Sequence, residues 1–279
     1  MDHAGRASTA DVQRSTLELA RQLIACRSIS PDDGGGMDVI ASRLATSGFD
    51  YERMDRAKPP NRVRNLWARH GGEPPVVCLA GHIDVVPPGD PDLWTNDPFA
   101  PTERDGRLFG CGAADMKTSV AAMITAAERF VAARPHHQGS VALLLTSDAE
   151  GRAREGTAAM VQQLQWRGEA IDACILGEPT SMSVLGDTMT NGTAEPCISP
   201  PGGLVDVLSA AVTSVTGVVP RLSTSGGTSD GRFLSALSRE LAEFGPVGAS
   251  AHAADEHVLL ADIGPLSEIY EQALRSLLA

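Results

Sequence analysis

An alternation of short apolar runs with segments of helical periodicity constrains this chain most. The runs at 65–68, 76–80, 141–145 and 173–176 have the length and composition of buried strands. Segments 15–26, 37–45, 116–133, 157–166, 232–241 and 266–278 carry apolar residues at helical spacing, the first through Leu17, Leu19, Leu23 and Ile24. Strand and helix repeated in this order predict an α/β fold of three layers, helix, sheet and helix. With 279 residues and 42% hydrophobic content the chain can bury one large core.

Where the apolar runs end, acids and imidazoles begin. In Gly81-His82-Ile83-Asp84-Val85-Val86-Pro87 a histidine and an aspartate stand two residues apart. Residues so spaced on a strand point to one side, toward the carboxyl end where an α/β sheet keeps its chemistry. Alone, such a pair is more often part of a turn than of a site. Asp115 in Gly112-Ala113-Ala114-Asp115-Met116-Lys117, Glu150 closing the run from Leu143, Glu178 in Gly177-Glu178-Pro179, and His252 add to it. An unpaired buried carboxylate is costly unless a cation meets it, so a metal pair is the economical reading. Two histidines and three carboxylates suit zinc, cobalt or manganese, and one carboxylate can bridge two ions about 3.5–4 Å apart. The alternative is a set of separate acids that cap helices or pair with arginine.

The motifs and their order resemble the zinc-dependent amidohydrolase family that includes the succinyl-diaminopimelate desuccinylases and acetylornithine deacetylases, the desuccinylases more closely. The resemblance spans about 15–191 and resumes from about 202. It rests on the segments above together with Trp94, Asp97-Pro98-Phe99, Thr146-Ser147-Asp148-Ala149-Glu150-Gly151, Gly177-Glu178-Pro179-Thr180-Ser181 and the Gly-rich stretch from Ser223 to Phe233. It implies a single zinc-peptidase-like catalytic domain over residues 1–279. It also implies that His82 and Glu178 hold one metal, Glu150 and His252 the other, and Asp115 bridges the two, with Asp84 orienting His82. The activity implied is deacylation of a small N-acyl amino acid on the route to diaminopimelate and lysine.

Several positions depart from the family pattern. Its Thr-Ser-Asp-Glu-Glu-Gly motif has the general base as the first glutamate, and this chain has Ala149 there. A methyl group accepts no proton, which leaves Asp84 and Asp148 as the neighbouring acids able to take over. Ile83 replaces a usual threonine, Cys111 an arginine, and Thr193-Ala194 an arginine pair. Family members insert a lid or dimerisation domain after the counterpart of Asn191-Gly192. Here only 193–200 intervene, with the composition of a linker. The resemblance therefore implies a monomer with weak or no activity, a metalloenzyme repurposed for another amino-acid-like substrate, or a metal-binding protein without catalysis, whether natural or engineered.

Ser225, Gly226, Gly227 and Thr228 form a loop whose amides and hydroxyls could cradle a substrate carboxylate, or lead into a helix capped by Ser229 or Asp230. A net charge of -12 argues against a nucleic-acid surface. The sequence shows no long apolar span or signal peptide, so no membrane partner is expected. The five dispersed cysteines, Cys26, Cys78, Cys111, Cys174 and Cys197, read as reduced thiols of a cytoplasmic protein. Only Cys111, four residues before Asp115, is expected near the site.

Overall fold

Val77, Leu79, Val141, Leu143 and Leu145 face one apolar layer, while Val76, Cys78, Ala80, Ala142 and Leu144 face another, and all ten are buried. Strands apolar on both faces belong to the interior of a covered parallel sheet. A computed structural model describes residues 8–56, 58, 61–190, 203–223 and 229–278 and has this architecture. In chain order the elements are α1 (Thr9–Ala25), α2 (Gly36–Thr46), β1 (Asp50–Arg53), β2 (Asn65–His70), β3 (Val76–His82), β4 (Thr102–Arg104), β5 (Arg107–Phe109), α3 (Thr118–Ala133), β6 (Ser140–Thr146), α4 (Thr157–Trp166), β7 (Ile171–Leu176), β8 (Thr188–Thr190), α5 (Leu204–Thr216), β9 (Arg221–Ser223), α6 (Gly231–Leu234), β10 (Ser238–Glu243), β11 (His257–Leu259) and α7 (Leu260–Leu277).

Eight strands make the main sheet in the order β1-β2-β6-β3-β7-β10-β8-β9, and β11-β5-β4 form a small second sheet. The central strands β6, β3, β7 and β10 run parallel, so their carboxyl ends lie along one edge. Helices α1, α2, α3, α5 and α7 pack on one face, and α4 and α6 on the other. Helix α3 buries twelve of its sixteen residues, which is why its composition is apolar nearly all round. Ser8 starts α1 by accepting a hydrogen bond from the Asp11 amide.

Two expectations need correction. The helix expected at 232–241 is a single short turn, α6, followed by β10. Leu234, Leu237 and Leu241 fit a helical spacing, but the parallel pairing of β10 with β7 puts Leu241 and Ala242 on opposite faces of the sheet. The last helix begins six residues before 266 and runs through Pro265, held by buried Ile263, Leu266 and Ile269. The segment 193–200 and the loop residues Ser225, Gly226, Gly227 and Thr228 lie outside the described residues. No helix among those described is long and apolar enough to cross a membrane. Cys26, Cys78, Cys111 and Cys174 are unbridged.

Gly245, just beyond β10, lies close against the backbone that follows β7. A Cβ there would collide with the carbonyl oxygens of Gly177 and Glu178. Gly245→Ala is therefore expected to destabilise the fold by about 1–3 kcal/mol, the usual cost of overpacking. Urea denaturation checks this, and an unchanged midpoint would show that the strand ends can move apart freely.

Candidate metal centre

Each element of the parallel sheet delivers a functional group at its carboxyl end. His82 is the last residue of β3, Glu150 lies in the loop after β6, and Glu178 stands two residues beyond β7. Asp115 sits in the π-type turn Ala113–Lys117, where its backbone leaves helical geometry. His252 comes from the loop before β11 and has a left-handed backbone with φ of 60°.

These five side chains meet. His82 Nε2 lies 3.2 Å from Asp115 Oδ1 and 4.0 Å from Glu178 Oε1. His252 Nε2 lies 3.2 Å from Asp115 Oδ2 and donates to Glu150 Oε1 at 2.8 Å. The two oxygens of Asp115 thus address different imidazoles. Ligand atoms of His82, Asp115 and Glu150 all fall within 4.8 Å of one another. Asp115 Oδ1 is buried and makes no hydrogen bond of acceptable geometry. An orphaned carboxylate oxygen among imidazoles and further carboxylates is the donor set that a divalent cation satisfies, so the residues present fit a metal.

Protonation follows from this crowding. Burial would raise Asp115, but the imidazoles of His252 and His82 beside it hold it well below the usual carboxylate range. Burial would lower His82, yet Asp115, Glu178 and Asp84 raise it well above an ordinary imidazole. Hydrogen bonds to Asp115 and Glu150 lift His252 to about 10. Glu178 is pushed up to about 8 by burial and by the Asp115 charge.

Asp84 and Asp148 are both engaged elsewhere. The Asp84 carboxylate accepts from the amides of Ala149 at 3.2 Å and Glu150 at 3.0 Å, while its backbone carbonyl lies 3.0 Å from His82 Nδ1. Its carboxylate is farther from that nitrogen, at 3.7 Å. Asp148 accepts from the amides of Arg152, Arg154 and Glu155 at 3.2, 3.0 and 3.0 Å. Neither lines the cavity of about 400 Å³ over the cluster, whereas Ala149 does. Cys111 is buried, and burial with the nearby Glu256 charge pushes its thiol up to about 12, so it offers no thiolate at neutral pH.

Sequence reasoning missed the far wall and the underside. Thr190, Ser229, Asp230, Arg232 and Glu243 line the same cavity. Buried Glu243 accepts from Thr190 Oγ1 at 2.8 Å and from Ser229 Oγ. Behind Asp115, buried Glu256 accepts from the amides of Gly112, Ala114 and Asp115. Glu256 belongs to no motif, and only its spacing of four residues from His252 could have drawn attention to it.

Residues 78–276 match the model of peptidase family M20/M25/M40. The succinyl-diaminopimelate desuccinylase of Thiobacillus denitrificans is 39% identical over 375 residues, covering 94% of this chain and 95% of the relative. Among solved structures, the di-peptidase Dug1p from Saccharomyces cerevisiae superposes with a TM-score of 0.74 at 13% identity, over 96% of this chain and 98% of that one. The M20 family metallo-carboxypeptidase Sso-CP2 from Sulfolobus solfataricus gives 0.74 at 13% identity, over 94% and 98%. At such identities the two structures speak for the fold alone.

The proton on His252 competes with any cation at this site. Its value is raised above the ordinary 6.5 to about 10, so its contribution to the stability of the metal-free protein is complete below pH 6.5 and lost as pH climbs through about 10. A cation held by His252 between pH 6.5 and 9 would have to displace that proton. Zinc affinity, followed with a competing chelator, should accordingly rise with pH by about tenfold per unit for each proton displaced. A flat profile would remove His252 from the ligand set.

Proposed function

The chain belongs to peptidase family M20/M25/M40, and we propose that it is a two-metal amide hydrolase of the desuccinylase type, slowed because Ala149 stands where the family has its general base. The observation that carries this reading is Asp115, whose two oxygens each lie 3.2 Å from a different imidazole. His82, Glu178, Glu150, His252 and Asp115 are the residues that would hold the cations, Asp115 serving both halves of the site. Zinc suits this set, as do cobalt and manganese. When bound, such a pair supplies Lewis acidity that acidifies water and polarises an amide carbonyl.

The protein's own groups bind and orient. Asp84 fixes His82 through its carbonyl and the 149–150 backbone through its carboxylate. Arg232, the one guanidinium among the described cavity residues, meets a substrate carboxylate, a role that the sequence pattern also gives to Ser225, Gly226, Gly227 and Thr228. The substrate is then a small N-acyl amino acid with free carboxylates, in line with the name of the Thiobacillus relative.

In the same reading residues 1–279 form one catalytic domain, and 193–200 stand in place of an inserted lid. The 375-residue span of that alignment, against 279 residues here, supports this. Without the inserted domain the chain is a monomer, and the four described cysteines, all unbridged, suit the cytoplasm. Ala149 favours a second reading, metal binding without turnover.

Metal analysis after zinc loading should find about two equivalents, one bridged pair, and Asp115→Ala should lose most of both. With N-succinyl-diaminopimelate as substrate, Ala149→Glu should raise turnover by about 10²–10⁴-fold. No gain, with two ions bound, would favour the non-catalytic reading. Light scattering at micromolar concentration should report a monomer, and a stable dimer would mean that another surface has taken over assembly.

A further inference from the structure

The turn that carries Asp115 is irregular. Asp115 and Met116 leave helical geometry, with φ and ψ of -125° and 94° and of -136° and 35°. Buried amides in such a turn have no regular helical acceptor and need one from elsewhere. Glu256 supplies it. One oxygen of its buried carboxylate accepts from Gly112 N at 2.8 Å, the other from Ala114 N at 2.8 Å and Asp115 N at 2.9 Å. Its own carbonyl accepts from Gly110 N at 2.9 Å.

Glu256 also belongs to the loop that carries His252. Ser250 Oγ closes that loop by donating to the His257 carbonyl at 2.8 Å and accepting from its amide at 3.0 Å. Asp255 pins it from outside by accepting from the Thr95 amide at 2.9 Å. Among the described residues no cation lies within ion-pair distance of Glu256, and the Lys117 ammonium beneath it donates to the Cys26 carbonyl at 2.9 Å instead. The charge of Glu256 is met by backbone dipoles of the Asp115 turn, so one side chain joins the two segments on which Asp115 and His252 ride.

We propose that Glu256 is a positioning residue that sets the separation of Asp115 from His252 and so allows two divalent cations to be held side by side; this rests on the metal-site reading above. Zinc affinity and stoichiometry, followed with a chromophoric chelator, are compared for the full chain, Glu256→Gln and Glu256→Asp. Amide hydrogen exchange at Gly112, Ala114 and Asp115 is followed in the metal-free proteins. Glutamine offers one acceptor oxygen and turns an NH2 group toward an amide donor. Aspartate keeps both oxygens one methylene short and serves as the second variant if glutamine prevents folding.

The expected order of zinc affinity is wild type, then Asp, then Gln, with the weaker site of Glu256→Gln lowered at least about tenfold, as for other groups that orient metal ligands. Exchange at the three amides should quicken in the same order. A purely structural role would lower the melting temperature while the folded variant still bound zinc as wild type does, and that result overturns the proposal. If wild type takes up no zinc, the metal-site reading fails and exchange decides alone. Quickened exchange then sustains the link between the two segments, and unchanged exchange removes it.

Discussion

A carboxylate taken out of water has to be met by something, and at the carboxyl edge of this sheet that requirement decides where most polar groups go. Asp84, Asp148 and Glu256 are met by backbone amides. Glu243 is met by the hydroxyls of Thr190 and Ser229. Asp115 finds only imidazoles, and Glu178 is pushed up to about 8 by burial and by the Asp115 charge. The acids satisfied by amides and hydroxyls are framework. The remainder, with the imidazoles they attract, are the groups that a divalent cation would gather.

The same division explains how the loop after β6 can carry an alanine without losing its shape. Its path is set by Asp84 and Asp148 acting on main-chain amides from Ala149 to Glu155. Residue 149 contributes a wall to the cavity but no hydrogen bond from its side chain. Chemistry at that position is separable from architecture in a way that chemistry at Asp84 is not.

Much of this was legible in the sequence where period and punctuation agree. The runs that became β3, β6 and β7 each lead within four residues to one that reaches the site, and the alternation of elements gives the layered class but not the strand order. Period alone failed at β10, because Leu234, Leu237 and Leu241 satisfy a helical spacing and only parallel pairing with β7 decides the matter. Pro265 hid the first turns of α7, whose buried face outweighs one missing hydrogen bond. Helix α5 went unread although Leu204, Val205, Leu208, Ala211 and Val212 stand at helical spacing, whereas the short strands of the second sheet carry too little pattern to stand out. Glu243 and Glu256 were invisible for another reason: their partners are hydroxyls and amides far away in the chain, and nothing local marks a carboxylate that will be buried.

The order in which the site's residues occur along the chain has a temporal meaning. His82, Asp115, Glu150 and Glu178 belong to strands and turns that emerge early, whereas His252 and the Glu256 that steadies Asp115 come near the end, just ahead of α7. Helix α7 in turn packs on α1, α3 and α5, and Gln13 of α1 reaches its first turns, accepting from the Gly264 amide at 2.7 Å. On the ribosome, then, the early ligands exist as a half-built, strongly acidic edge, and the centre closes only when His252 and Glu256 have been made and α7 packs on α1.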